Sequence, residues 1–524
     1  MIALYAFVAI VALAITVDGF SVLPVQTRAL RLAPLAGAST ESENLAMTEE
    51  QRKLIDVSKS VLDTVGDDIQ ILPPTDGVKR IVMKFGGSSI ANPERITYVT
   101  KLIKKHVDMG YRPIIICSAM GKTTNTLVSA GDFALQGQVL VDSLRTMHIG
   151  TATALGLPES TLRSLSELLD NLERLLEGVK NIGELTPRTM DALISFGERM
   201  SIRIVAGNLN KLGVPAQPFD SWTLGMLTTS DFGNAEVLPE SYANIGDNLR
   251  KFDGSIVPVI TGFIGKDKEG RITTLGRGGS DLSATVVGAA CPADEVQVWK
   301  DVDGIMTADP RLVKGALPVD AVTYEEAAEL AFFGAEVLHP ISMQPAIASK
   351  IPVRVKNSYN PMAVGTVISA SRDKTGTLVT AITSKNKVKL IDLVSTRMLG
   401  QYGFLAKVFS IFELCKASVD VVASSDVSLS LTLDTKGTAD EAKLLALLKG
   451  IAQVEVFEER AIISLICNLD RSSEVMSIAF KVLEELGITV EMLSQGASKV
   501  NISLVVQMAQ RERVIKALHA RFFE

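Results

Sequence analysis

The stretch Lys84-Phe85-Gly86-Gly87-Ser88-Ser89 sets a lysine beside two adjacent glycines. It follows the apolar run Ile81-Val82-Met83 and reads as a strand ending in a glycine turn. Such glycines let backbone N–H groups approach a phosphate, and the lysine offers charge to a transferring phosphoryl group. A tight turn after a strand explains the same residues as well. Ser118-Ala119-Met120-Gly121-Lys122-Thr123-Thr124-Asn125 follows a second run, Ile114-Ile115-Ile116-Cys117. Its Gly-Lys-Thr is not a P-loop, because that motif needs glycine at 116, where Ile116 stands inside the strand. The Ser118 and Thr124 hydroxyls suit a small polar substrate, or an ST-turn capping the next helix. Glu198, in Ile194-Ser195-Phe196-Gly197-Glu198-Arg199, could bind an ammonium group; the plainer reading is an acidic residue in a helix's first turn. In Leu275-Gly276-Arg277-Gly278-Gly279-Ser280-Asp281, Arg277 suits a carboxylate and the helix opened by Ser280 and Asp281 suits an anion. A structural glycine turn with a solvated arginine is the alternative. Residues 299–311 leave a strand for a loop that offers Lys300 and Arg311 to phosphates and Asp301 to ribose hydroxyls or Mg²⁺.

These motifs need a frame that brings strand ends together. Strand patterns at 80–85, 113–117, 215–218, 257–261, 295–300 and 352–356 alternate with helical ones. That alternation predicts an α/β fold with a sheet largely parallel at its centre and helices on both faces. Ligands then bind at the carboxyl ends of the strands, where every motif above falls. Residues 161–180 carry Leu162, Leu165, Leu168, Leu169, Leu172, Leu175 and Leu176, an amphipathic helix whose stripe faces a core. After about 375 an internal repeat appears. Phe409-Ser410-Ile411-Phe412-Glu413 runs into Ser418-Val419-Asp420-Val421-Val422, and 71 residues later Phe480-Lys481-Val482-Leu483-Glu484 runs into Thr489-Val490-Glu491-Met492-Leu493. Each copy reads strand, helix, strand, strand. Residues 377–383 form a lone strand that would complete the sheet of the second copy. Only the first copy has a glycine loop, 398–406, that admits a ligand against its backbone.

The 524 residues suggest about three domains. A 47% hydrophobic and 21% charged composition fits a globular chain with a full core, and a net charge of −6 speaks against a broad nucleic-acid footprint. Cys117, Cys291, Cys415 and Cys467 lie far apart, as do the four histidines. No disulfide framework or His-based metal site is expected, and any metal would be Mg²⁺ bound to nucleotide. Residues 2–17 are almost wholly apolar, and 21–40 contain arginines but no acidic residue. Together they read as a signal peptide followed by a transit-like segment, a bipartite leader at 1–40, with a linker at 41–78 containing a helix at 48–65. Secretion and a retained anchor are the alternatives; after leader removal no membrane association is expected.

The four motifs, in this order, resemble the aspartate kinases of the amino-acid kinase superfamily. The match runs from Lys79 to Glu524 and includes Phe333-Gly334-Ala335-Glu336-Val337-Leu338-His339-Pro340 and Val353-Arg354-Val355-Lys356-Asn357-Ser358, which look most like plant-type monofunctional members. The tail repeat is similar to paired ACT domains. The resemblance implies a three-layer α/β/α kinase domain at 79–370, then two ACT (βαββαβ, ferredoxin-like) domains at 371–460 and 461–524. It implies phosphoryl transfer from ATP, with Mg²⁺, to the β-carboxylate of L-aspartate, the step that opens lysine, threonine and methionine biosynthesis. It assigns Lys84 to the transferring group, with Gly86, Gly87 and Ser88 around the phosphates. Arg277 takes the substrate carboxylate, Glu198 its ammonium, and Ser118 and Thr124 complete that end. Ser280 and Asp281 fall between substrate and nucleotide, Asp281 orienting Lys84, while Lys300, Asp301, Met306 and Arg311 contact ATP. Met306 replaces a tyrosine of some bacterial members, and Glu336 replaces a lysine and is given no role. Lysine inhibition is expected through Met398, Gly403, Phe404, Leu405, Val419 and Asp420 of the first ACT copy, in a homodimer or homotetramer built through ACT domains, within a plastid. A related carboxylate kinase and a non-catalytic amino-acid sensor are the alternatives; no homoserine dehydrogenase domain is expected.

Overall fold

The computed structural model describes residues 62, 64–72, 77 and 79–524, apart from 253, 335–337, 395–402, 435–439 and 497. The expected leader, nearly all of the helix expected at 48–65, and Met398 lie outside the described residues.

Strand β1 is Arg80–Phe85, followed by α1 Pro93–Asp108 and β2 Arg112–Cys117. Four helices come next, α2 Thr123–Leu135, α3 Asp142–Ala154, α4 Glu159–Ile182 and α5 Pro187–Lys211. Then follow β3 Ala216–Phe219, α6 Glu240–Arg250, β4 Val257–Thr261, the hairpin β5 Ile264–Lys266 and β6 Ile272–Thr274, and α7 Gly279–Ala290. The first region closes with β7 Glu295–Lys300, β8 Ala321–Thr323, α8 Tyr324–Phe332, α9 Pro340–Ser349, β9 Val353–Asn357 and β10 Thr366–Ser369. Its eight-stranded sheet has the order β3-β4-β2-β1-β7-β9-β10-β8. The six strands from β3 to β9 are mutually parallel, and only the β9–β10 pairing is antiparallel.

Local chemistry sets the helix starts. Asn92 accepts from the Arg95 N–H, with Pro93 opening α1, and Thr186 accepts from the Thr189 N–H, with Pro187 opening α5. Thr323 and Glu326 form a reciprocal capping box at α8. Side chains alternate across each strand and divide the core in two. Ile81, Met83, Phe85, Ile115, Cys117 and Trp299 pack with α1, α4 and α5 on one face; Val82, Ile116, Val296, Val298 and Val353 pack with α7 and α9 on the other. The leucine stripe of α4 is buried in the first of these cores, as its spacing predicts.

The second region contains β11 Val379–Val394, α10 Phe404–Leu414, β12 Val419–Ser424, β13 Ser428–Asp434, α11 Glu441–Lys449 and β14 Gln453–Cys467. It ends with α12 Ser472–Leu486, β15 Met492–Gln495, β16 Asn501–Gln507 and α13 Arg511–Phe523. Its antiparallel sheet has the order β12-β13-β11-β14-β16-β15. β11 and β14 are long enough to serve both repeats: β11 pairs its first half with Ile462 to Cys467 and its second half with β13 and with Gln453 to Phe457. The two regions are stitched together. The Ile382 N–H donates to Thr307 O at 2.7 Å, Thr383 Oγ1 to Phe333 O at 3.0 Å, and Asn501 Nδ2 to Glu329 Oε2 at 2.9 Å. Arg372 grips buried Glu326 with two bonds of 2.7 Å. All four cysteines are buried, and none is in a disulfide. Among the described residues no helix is long and apolar enough to cross a membrane.

Candidate active site

Strand parity places the charges. Lys84 shares its face of β1 with Val82, and Lys300 shares its face of β7 with Val296 and Val298. Both therefore point to the side covered by α7, whose first turn carries Asp281. Lys84 Nζ lies 2.7 Å from Asp281 Oδ1, and Lys300 Nζ lies 3.5 Å from Asp281 Oδ2. Burial alone would push the Asp281 carboxyl up, but the two ammonium groups outweigh it and hold it below the usual carboxylate range. Burial lowers Lys300, partly opposed by Asp281.

Lys84 and Asp281 border a cavity of about 400 Å³ at the carboxyl edge of the parallel strands, lined also by Gly87, the 118–125 loop, Glu198, Phe263 and the rest of the first turn of α7. The glycines are there for close approach. A Cβ on Gly87 would sit 2.7 Å from Ala119 O and 2.9 Å from Gly121 O, so the first two loops touch backbone to backbone. Ser118 Oγ donates to Ser280 Oγ at 3.0 Å and joins the second loop to α7.

Glu198 also lines the cavity. Its Oε1 accepts from the Ala119 N–H at 3.1 Å, while buried Oε2 has no hydrogen-bond partner. Burial raises this carboxyl to about 8, opposed by the Ala119 N–H and weakly by Lys84. A buried acid with one unpartnered oxygen, on a residue that lines a polar cavity, suits a ligand cation. It lies mid-helix in α5, not in a first turn, so the dipole explanation does not apply.

The expected site residues fall into three groups. Lys84, Gly87, Ser118, Thr124, Glu198, Ser280 and Asp281 line the cavity together. Gly86 adjoins it, and its Cβ position would be 3.8 Å from Lys84 Nζ; Ser88 is exposed beside it. Arg277 is exposed between the lining residues Gly276 and Gly278 and makes no hydrogen bond or ion pair with the described residues. The second group follows β7: Lys300 reaches Asp281, whereas Asp301 is exposed, Met306 is half-buried, and exposed Arg311 pairs with Asp309 at 2.8 Å. The third group is remote. Gly403 and Phe404 start α10 with Leu405, and Val419 and Asp420 start β12. Asp420 is engaged by Lys385 Nζ at 2.8 Å.

Phe263, Lys122 and Asn125 line the cavity and were not singled out from sequence. Phe263 follows β4, so its position after a predicted strand was the available signal. It holds a left-handed φ of 68°, costly for an aromatic residue, with its N–H donating to Ser283 Oγ at 3.0 Å and its ring against Gly279.

Comparisons with known proteins give the family. The model of the amino acid kinase family matches residues 79–357, and that of an ACT domain matches 463–522. Aspartokinase 3, chloroplastic, of Arabidopsis thaliana is 50% identical over 460 residues, 84% of this chain and 81% of that protein. The lysine-sensitive aspartokinase 3 of Escherichia coli is 34% identical over 455 residues, 85% of this chain and 99% of its own. Crystal structures of E. coli aspartokinase III superpose with a TM-score of 0.70. One is in complex with lysine and aspartate (33% identity, 85% of this chain, 99% of that one), the other with aspartate and ADP (34%, 85% and 100%). On sequence, fold and coverage alike, the chain belongs to the aspartokinases of the amino acid kinase family.

Proposed function

We propose that the protein transfers the γ-phosphoryl group of ATP to the β-carboxylate of L-aspartate, giving 4-phospho-L-aspartate. The observation that carries this reading is that Lys84 and Asp281, whose carboxylate also engages Lys300, share one cavity with Glu198: cations for a phosphoryl group and an acid for an ammonium. An oxygen of the β-carboxylate bonds to the γ-phosphorus as the bond to the β,γ-bridging oxygen breaks. The acceptor is already ionised and ADP leaves as an anion, so no general base is needed. The chain's task is positioning and charge neutralisation.

In this reading Lys84 neutralises charge on the equatorial oxygens, and the free N–H groups of α7 add their dipole. Asp281 holds Lys84 and Lys300 at a fixed separation. Glu198 takes the substrate ammonium, Arg277 its α-carboxylate, and the 118–125 loop the remaining polar edge. Gly86, Gly87 and Ser88 cover the phosphates, while Lys300, Asp301, Met306 and Arg311 form the nucleotide side. Among the described residues no group of three His, Cys, Asp or Glu could hold a metal ion, and Asp281 is already engaged by two lysines. A resident protein-only metal site does not fit, so Mg²⁺ would arrive with the triphosphate.

Lysine inhibition through the first repeat is part of the proposal, supported by the lysine complex of the E. coli enzyme. Assembly through the ACT sheet into a homodimer or homotetramer follows from the same domain type. Plastid residence is supported by the chloroplastic relatives. The test is ATP-dependent acyl-phosphate formation from L-aspartate by protein lacking the leader, trapped with hydroxylamine, with and without lysine and threonine. Turnover suppressed by lysine is expected. Folded protein that turns over no aspartate with Mg²⁺ present would overturn the substrate assignment.

A further inference from the structure

Helix α5 carries a second buried acid, Asp191, seven residues before Glu198. Seven residues are two turns, so both carboxylates project from one face, about 10 Å apart along the axis. Asp191 is 1% exposed and does not line the cavity. Its oxygens are taken by the end of β6: Oδ2 accepts from the Thr274 N–H at 2.9 Å and Oδ1 from Thr274 Oγ1 at 2.8 Å. Oδ2 also accepts from the Gly233 N–H at 2.9 Å. The Ala235 N–H in turn donates to Thr274 O at 2.8 Å, so the 233–235 turn and β6 are clamped as one unit.

Arg277 begins three residues beyond that clamp. Flanking it, Gly276 holds φ 68° with Asn234 Oδ1 where a Cβ would sit, and Gly278 holds φ 72° against His339. Arg277 itself has no described partner, so nothing but its backbone fixes where its guanidinium can reach. We propose that Asp191 is a positioning residue that registers the Arg277 loop against Glu198, making α5 the ruler between the two ends of the bound amino acid. This rests on the assignment of Arg277 and Glu198 to substrate. Burial favours a neutral Asp191 and its three hydrogen bonds oppose that. An Asn replacement would aim an amide NH₂ at donors and break part of the clamp.

The experiment compares wild type, Asp191→Asn and the milder Thr274→Val, which loses only the hydroxyl bond. Two readouts are used. In steady-state kinetics, Asp191→Asn is expected to raise KM for aspartate about tenfold with KM for ATP within about twofold; Thr274→Val should move the same way by a few-fold. In an Arg277→Ala background Asp191→Asn should add little, because its effect passes through that arginine. In hydrogen exchange, amides 275–278 should exchange at least about tenfold faster in Asp191→Asn while those of β1 stay protected. Equal rises in both KM values, or additive effects with Arg277→Ala, overturn the proposal. So does unchanged exchange at 275–278, a readout that does not need aspartate to be the substrate. Failure of wild type to use aspartate, with exchange responding as expected, would instead indict the substrate assignment alone.

Discussion

Lys84 and Asp281 form an ion pair at 2.7 Å in which both side chains are 9% exposed. It spans β1 and α7 and sets the depth of the ammonium group in the cavity. A buried pair is weak evidence of net stability, but removing one partner strands a charge. Asp281→Ala leaves Lys84 and Lys300 facing each other without their counterion. It should cost about 3 kcal/mol in urea unfolding and lower kcat on the order of 10²-fold or more. Lys84→Met should lower kcat by a similar factor with little change in either KM. A Lys84→Met enzyme within threefold of wild-type kcat would remove the lysine from the chemistry.

The Glu198 carboxyl, raised to about 8 by burial, makes substrate binding pH-dependent. Only its ionised form pairs with an ammonium. Below pH 8 binding must therefore expel a proton, and kcat/KM for aspartate should rise about tenfold per unit up to that pH and level off above it. Stability runs the other way. Between the ordinary glutamate value of 4.5 and about 8 the folded chain keeps a proton that the unfolded chain has lost, so stability falls as pH rises across that window. Glu198→Gln retains an acceptor for the Ala119 N–H and should flatten both profiles. It should also raise Tm at pH 8 while weakening aspartate binding. A wild-type profile that is flat from pH 6 to 8.5 would sink the assignment.

Much of this was legible because it is local. The strands at 80–85, 257–261 and 295–300 have the bounds their apolar runs predict, and the strand-end loops meet at one edge because parallel strands allow nothing else. Asp281 was legible as the opening of a helix. What sequence could not give is depth. Glu198 read more plainly as an acid in a helix's first turn, and only the packing of α5 against the 118–125 loop buries it. Arg311 was legible as a cation near a strand end, but not the ion pair it makes with an aspartate two residues away. The two repeats were visible as copies, but β11 and β14 running through both is a matter of sheet register that no local pattern encodes.

Gly87 tolerates no side chain. Its Cβ would meet two carbonyl oxygens, Ala119 O and Gly121 O, neither at the end of a flexible side chain. Gly87→Ala should part the loops after β1 and β2 and lower kcat/KM for ATP by at least about tenfold, with the fold retained by circular dichroism. Near-wild-type kinetics would mean the loops separate freely and do not jointly shape the phosphate end.

The loop after β7 is held by the C-terminal repeat as well as by its own sheet. Ala308 and Val313 are buried with Ile463, Leu465, Val475 and Leu518. His519 Nε2 and Thr307 Oγ1 share a hydrogen bond at 2.9 Å, and burial lowers the imidazole below its ordinary range, partly opposed by Glu524. His519→Ala opens a space beside Thr307 and should destabilise by about 1–3 kcal/mol. It should also raise KM for ATP several-fold while sparing KM for aspartate. A change in stability with both KM values intact would confine His519 to packing.

In the proposed regulation Asp420 would take the effector's ammonium, yet the protein already supplies it with one. Lys385 Nζ lies 2.8 Å from Asp420 and 2.9 Å from Asp434, and these acids outweigh burial to hold the lysine above its ordinary range. The same Nζ sits 5.2 Å from the centre of the Phe332 ring at the end of α8. A free amino acid that pairs with Asp420 must therefore compete with a tethered cation that also touches the catalytic region. Lys385→Met removes the competitor and should lower the lysine concentration for half inhibition several-fold, while Asp420→Ala should abolish the inhibition. Inhibition curves for the two variants that superpose on wild type would move the effector elsewhere on the ACT sheet. If Lys385→Met instead abolished inhibition while leaving lysine binding intact by calorimetry, the pair would be the route by which an occupied sensor reaches α8, not a competitor for its ligand.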